Sequence, residues 1–290
     1  MAAPALVVTG ASGLIGTALG QVEAITPLRR GLGGPLGWDP LGGQVEDDGR
    51  PIGAVVHLAG ENLADARWTE ARKQSMRDSR VLGTRTLARW LAGRKQRPEV
   101  LVCASAIGLY GDRGDELLDE DAAPGTGFLA DLVRDWEQEA RAVEAAGVRL
   151  VLLRLGVVLS REGGALGKMR LPFSLGAGGP IGSGRQWFPW VHLDDAVGAF
   201  LWAIRTPGAR GAYNLVAPGV VRQGDFARAL GRAMRRPAVL PTPAFALKVA
   251  FGEMATEALL PSTRVVPRRL LSEGYAFRFP ELDPALRSVV

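Results

Sequence analysis

Three glycines spaced by three, Gly10, Gly13 and Gly16 in TGASGLIG (9–16), can bring a backbone up against a pyrophosphate. Gly10 permits a tight turn, Gly13 a close approach, and Gly16 the packing of a helix against the preceding strand. Ser12, Leu14 and Ile15 complete the turn and open a helix whose N-terminus attracts an anion. Further on stand Arg29 and Arg30, and no acid falls between Glu23 and Asp39, although a site for NAD usually carries one there. Two guanidinium forks match a 2′-phosphate, so NADP(H) is the expected cofactor; two surface arginines after a strand is the plainer reading.

The candidates for proton transfer are few. Ser105 and Tyr110 lie at the end of an apolar run, LVCASAIGLYGD (101–112). Tyr110 can donate to a substrate carbonyl or simply shape a cleft wall. Glu61 follows Leu58, Ala59 and Gly60 at another strand end, where it can act as a general base or cap the next helix. His192 is a possible shuttle, His57 lies in a buried strand and expects a structural partner, and Asp194–Asp195 read as an N-cap for AVGAFLWAI. With two histidines, one cysteine and no spaced acids, no metal site is expected.

The elements that position these residues read as a doubly wound α/β sheet of Rossmann type. Apolar strands at 5–9, 54–59, 100–105 and 148–158 alternate with helix-length amphipathic stretches. Ligands of such sheets bind at the carboxyl ends of the strands, where Gly10, Leu58–Gly60, Ala104 and Ser105 fall. Residues 1–221 are expected to form the nucleotide domain, with 160–186 contributing to a smaller substrate lobe made by 222–290. The charge of +5 comes from 31 arginines and four lysines interleaved with acids, a solvated pattern that speaks against nucleic acid. One cysteine, no leader-like start and no bilayer-length apolar run point to a cytoplasmic protein away from membranes. A monomer or homodimer is expected.

Five segments, TGASGLIG, HLAGEN (57–62), SAIGLYGD (105–112), LRLGVVLS (153–160) and WVHLDDAVGAF (190–200), resemble the extended short-chain dehydrogenases/reductases. More narrowly, WDPLGG (38–43), AGENLADARWTEARKQSMRDSRVLGT (59–84), GFLADLVRDWE (127–137) and LGAGGPIGSGRQWFPWVHLDD (175–195) are similar to epimerase family 39U, as is the chain from about 222. The resemblance implies NADP across the sheet edge and oxidoreductase or epimerase-like activity on a small substrate. It also implies the departures. The Tyr-x-x-x-Lys pair of the extended family is missing: four residues beyond Tyr110, Tyr213 and Tyr275 stand Gly114, Ala217 and Phe279. The usual hydroxyl position falls on Ala106, beside Ser105. Arg80 stands where relatives often have asparagine and can meet a cofactor phosphate or an acid. In the substrate loop Phe188 replaces the phosphate-binding arginine, so Gln186, Trp187, Phe188, Trp190 and His192 suggest an apolar or aromatic ligand. The alternative to an enzyme is a non-catalytic NADP(H)-binding regulator or sensor.

Overall fold

A computed structural model describes residues 4–290. In chain order the elements are β1 (Ala5–Thr9), α1 (Leu14–Val22), β2 (Thr26–Arg30), β3 (Leu36–Asp39), β4 (Gln44–Asp47), β5 (Ile52–His57), α2 (Glu70–Gly93) and β6 (Val100–Ala106). There follow β7 (Leu117–Leu118), α3 (Phe128–Arg141), β8 (Arg149–Leu155), β9 (Val157–Leu159), α4 (Gly164–Ser174), β10 (Trp190–His192), α5 (Leu193–Arg205) and β11 (Gly211–Leu215). The last are α6 (Gln223–Met234), α7 (Ala244–Phe251), β12 (Arg264–Val265), α8 (Arg268–Ser272) and α9 (Leu282–Val289).

An eight-stranded sheet runs β11-β8-β6-β5-β1-β2-β3-β4. β1 is parallel to both β2 and β5, with Thr9 beside His57; β2–β3 and β5–β6 are parallel too, and the hairpin of β3 and β4 is antiparallel. β1 therefore sits where the strand order reverses, the place at which such sheets open a crevice beyond their carboxyl ends. The strands are continuous β-branched and aliphatic runs because both faces are covered: Val7, Val8, Val55, Val56, Leu101 and Val102 are wholly buried. α1 has nine residues, the short crossover that the spacing of Gly16 and Arg29 predicts. No helix links β2 to β3; residues 31–35 return directly, and the edge above Arg29 and Arg30 stays open. α2 starts at Thr69, whose hydroxyl accepts from the amide of Arg72, and buries Met76, Leu87 and Leu91.

The described residues group into two compact units. One takes the chain up to Ser105, then Leu132–Leu153 and Val197–Ala212; the other takes Ala106–Asp131, Arg154–Ala196 and Tyr213–Val290. The units interleave along the chain, where the sequence suggested one change at 221 with 160–186 as an excursion. In the second unit β10 pairs β9 and β12 pairs β7, both parallel. Its main core joins Leu159, Leu166, Phe173, Trp190, Phe226 and Leu286. Among the described residues no helix is long and apolar enough to cross a membrane.

Candidate nucleotide site

The chain leaves β1 through Gly10, whose φ of 68° is left-handed. A Cβ there would lie 2.8 Å from the amide nitrogen of Ala59 and from the carbonyl carbon of Leu58. Only glycine lets the two strand ends meet this closely. Gly13 donates to the carbonyl of Gly10 at 3.0 Å and forms the N-cap of α1 without a side-chain cap. A Cβ on Gly16 would collide with the carbonyl oxygen of Gly10. The amides of Leu14, Ile15 and Gly16 have no acceptor among the described residues, which leaves the helix start ready for an anion.

A cavity of about 670 Å³ opens over this turn, lined by Gly10, Ala11, Ser12, Gly13, Pro27, Leu28, Arg29, Arg30, Trp38, Leu58, Ala59 and Gly60. Arg29 and Arg30 are exposed, and neither side chain has a partner among the described residues. Two unpaired guanidinium groups at the rim of a glycine cradle suit a dinucleotide bearing an extra phosphate. Sequence reasoning missed Ala11, Pro27, Leu28 and Trp38. Ala11 lies inside the glycine motif, whereas Trp38 reaches the cavity only because β3 pairs with β2.

Beneath the cavity Thr9 accepts at its hydroxyl from the amides of Leu58 and Ala59, both at 3.2 Å. The hydroxyl proton is then directed to His57 Nδ1 at 2.6 Å, so Nε2 carries the ring proton and donates to Thr84 Oγ1 at 2.9 Å. Burial pushes the His57 pKa down to about 4. These two threonines are the structural partner that the sequence anticipated for His57.

Arg80 is placed differently from the cofactor-phosphate reading. Its guanidinium donates to the carbonyls of Met76 and Glu61 and lies over the Trp136 ring at 5.5 Å, with its pKa lowered by burial to about 10. It supports the loop after β5 from behind Gly60, whose Cβ would meet it at 3.2 Å. Ala104 is buried within β6 and does not line the cavity.

Each proton-transfer candidate is engaged inside the protein. Glu61 pairs with Arg72 and caps no helix, since Thr69 holds that position. The Ser105 hydroxyl donates to Glu137 Oε1 at 2.6 Å, and both residues are buried. Tyr110 shapes no cleft wall: it is fully buried, and its hydroxyl contacts Asn214 Oδ1 at 2.7 Å and the Asp119 carbonyl at 3.0 Å while accepting from Arg154 at 2.9 Å. Burial raises its pKa, opposed by Arg154. The helix that carries the dyad in the extended family is α3, and Leu129, Leu132, Val133 and Trp136 make its buried face apolar apart from Glu137.

The aromatic substrate wall is corrected as well. Trp190 is a core residue whose indole donates to the Gly219 carbonyl at 3.0 Å, and Phe188 stacks on Phe226 at 4.2 Å. Gln186 is buried and donates to the Ile181 carbonyl. His192 accepts the Asp194 amide at Nδ1, faces Ser288 Oγ through Nε2 and stacks on Phe279; burial lowers its pKa, so it is a packing residue rather than a shuttle. Trp187 stays half-buried, as Phe188 does, and lies against Arg222 and Arg264. Asp194 and Asp195 sit inside the first turn of α5, not ahead of it. Asp195 accepts the amides of Arg278 and Phe279 at 2.6 and 3.0 Å.

Comparison with known proteins agrees with this geometry. The pattern of the NAD dependent epimerase/dehydratase family matches residues 44–216, more than half of the chain. The chain belongs to that family. A domain of unknown function, DUF1731, matches residues 242–289. Epimerase family protein Mb2239 of Mycobacterium bovis is 41% identical over 99% of this chain and 97% of its own length. Epimerase family protein SDR39U1 of Bos taurus is 40% identical over 98% and 99%. The crystal structure of human SDR39U1 (isoform2) with NADPH superposes with a TM-score of 0.91 at 37% identity, covering 98% of both chains. The resemblance read from the motifs, and the α/β fold it implied, are borne out across the full length of this epimerase-family chain.

Proposed function

We propose that this family member binds NADP(H) over the β1 turn, with Arg29 and Arg30 taking the 2′-phosphate and the free amides of α1 taking the pyrophosphate. The observation that carries the reading is the glycine cradle with two unpartnered arginines at its rim. The relative solved with NADPH supports it. Bound there, the cofactor would supply hydride chemistry; the chain's own residues bind and orient it. Titration calorimetry with NADPH and NADH tests the reading: NADPH should bind at least tenfold more tightly, and equal affinities would remove it.

Of the two uses of a bound nucleotide, the geometry favours a regulator or sensor. Ser105, Tyr110 and Glu61 are each held by Glu137, Arg154 and Arg72, so none is free to exchange a proton with a substrate. An oxidoreductase acting on a small substrate is the second reading, favoured by family membership. The absorbance of NADPH at 340 nm, followed with a panel of quinones, enals and ketones, separates them. The sensor reading expects no oxidation above the protein-free rate; sustained turnover of any compound installs the oxidoreductase.

A further inference from the structure

Thirteen of the 31 arginines are at least half-buried, and twelve of these donate a hydrogen bond. Arg264 is the exception. Among the described residues it has neither hydrogen bond nor ion pair, and its Nε is buried without a partner. A guanidinium presents five N–H donors in a planar fork, and the one at Nε is cut off from solvent, where leaving a donor unmet is costly. Its neighbours do not relieve this. The group lies over the Trp187 ring, 4.7 Å from the centroid, and Arg222 lies over the same ring at 3.9 Å. Asp115, the carboxylate nearby, makes its bonds to others: Oδ1 accepts the Trp187 indole N–H at 2.9 Å and pairs with Arg222 at 2.8 Å, and Arg264 acts on it only through its charge.

The position is built rather than accidental. Arg264 is fixed opposite Leu117 by the register of β12 and β7. Ser262 ties the surrounding loops together: its hydroxyl donates to the Gly114 carbonyl at 2.6 Å and accepts the Trp187 amide at 3.2 Å, and its own amide donates to Asp112. The indole ring thus has two cations against it beside one compensating carboxylate, a local excess of positive charge on a rigid frame.

We propose that Arg264, with Trp187 and Arg222, forms an oxyanion site of the second unit that takes the carboxylate or phosphate of a small ligand. The fork of Arg264 binds the oxygens side by side, and Trp187 keeps its plane oriented. This replaces the apolar ligand that the tryptophans suggested in the sequence. The site uses residues of the second unit alone and does not depend on the nucleotide reading.

The test is calorimetry of the full chain with inorganic phosphate, pyrophosphate and succinate, with sodium chloride matching ionic strength. Saturable binding is expected, weakened at least tenfold in Arg264→Gln and less in Arg264→Lys, with NADPH affinity unchanged in the same samples. Preference for the phosphates or for succinate names the source of the oxyanion. No saturable binding by the native chain, or equal affinity in Arg264→Gln, overturns the proposal, and loss of NADPH binding alone would count only against the nucleotide site. If Arg264→Gln fails to fold, the Trp187 indole N–H resonance of the native chain decides, since it must shift on titration with the anion that binds.

Discussion

The glycine turn after β1 and the surroundings of Tyr110 are built on opposite terms. Over the turn, backbone amides and two arginines have no partner among the described residues, and the cavity is held open by positions where a Cβ cannot fit. Around Tyr110 the hydroxyl itself is met by Arg154 and Asn214, and Glu120 Oε1 accepts the amides of Asn214 and Arg269, which leaves Oε2 of Glu120 as the unmet atom of that region among the described residues. Unmet donors in a cradle point to a ligand, and a met hydroxyl in a core points to stability. The two residues that look most catalytic in sequence, Tyr110 and Ser105, both have their hydroxyls met by the protein.

The largest expected effect comes from closing the cradle. Gly10→Ala introduces left-handed strain of about 1–2 kcal/mol and overpacking of about 1–3 kcal/mol against Leu58 and Ala59. Thermal and urea unfolding should show the sum, and NADPH binding should be lost with it. Unchanged stability would mean that the turn relaxes, and the contrast with the closed region would weaken.

The pH dependence of stability comes next. Unfolded His57 titrates near 6.5 and folded His57 near 4, so between these values the unfolded chain holds the extra proton. Stability is therefore full above the unfolded value and lost as pH falls towards 4, by about 3 kcal/mol at 1.36 kcal/mol per unit. His192, lowered by burial, acts in the same direction. Asp195 and Glu120, raised by burial, act in the opposite one and recover part of the loss as they protonate. Urea unfolding across pH 4–7 should show the net slope, and His57→Asn should make it shallower; an unchanged slope would remove His57 as its source.

Tyr110→Phe leaves Arg154 and Asn214 without the hydroxyl and should cost about 1–3 kcal/mol, read as a shift in the urea midpoint. NADPH affinity should not change. The reverse pattern, stable protein with altered behaviour towards the nucleotide or a substrate, would return Tyr110 to the site.

How far these features were legible follows the range of the contacts. The glycine turn, the short α1 and the strands around it are local in sequence, and they were readable from residue type and spacing. The closure of Tyr110 was not, because Asn214 lies 104 residues away and Arg154 44. Trp187, Phe188 and Trp190 look alike in sequence yet separate into a cation-flanked ring, a stacked ring and a core residue. Burial depends on which segments fold over a loop, and periodicity does not carry that. An unmet group such as Arg264 is harder still, since its signal is a partner that never arrives.

The smallest expected effect is the one that most sharpens the contrast. Arg29 is exposed and unpaired, so Arg29→Ala should leave the unfolding midpoint within experimental error. Its loss should weaken NADPH about tenfold, about 1.4 kcal/mol, and leave NADH binding as it was, because only the 2′-phosphate distinguishes the two. The contact faces solvent, so the difference between NADPH and NADH should shrink as salt rises and the Debye length shortens. A variant that loses stability without losing NADPH preference would make Arg29 a scaffold residue like Tyr110. One that loses preference alone places the open and closed regions on the two sides that their hydrogen bonding describes.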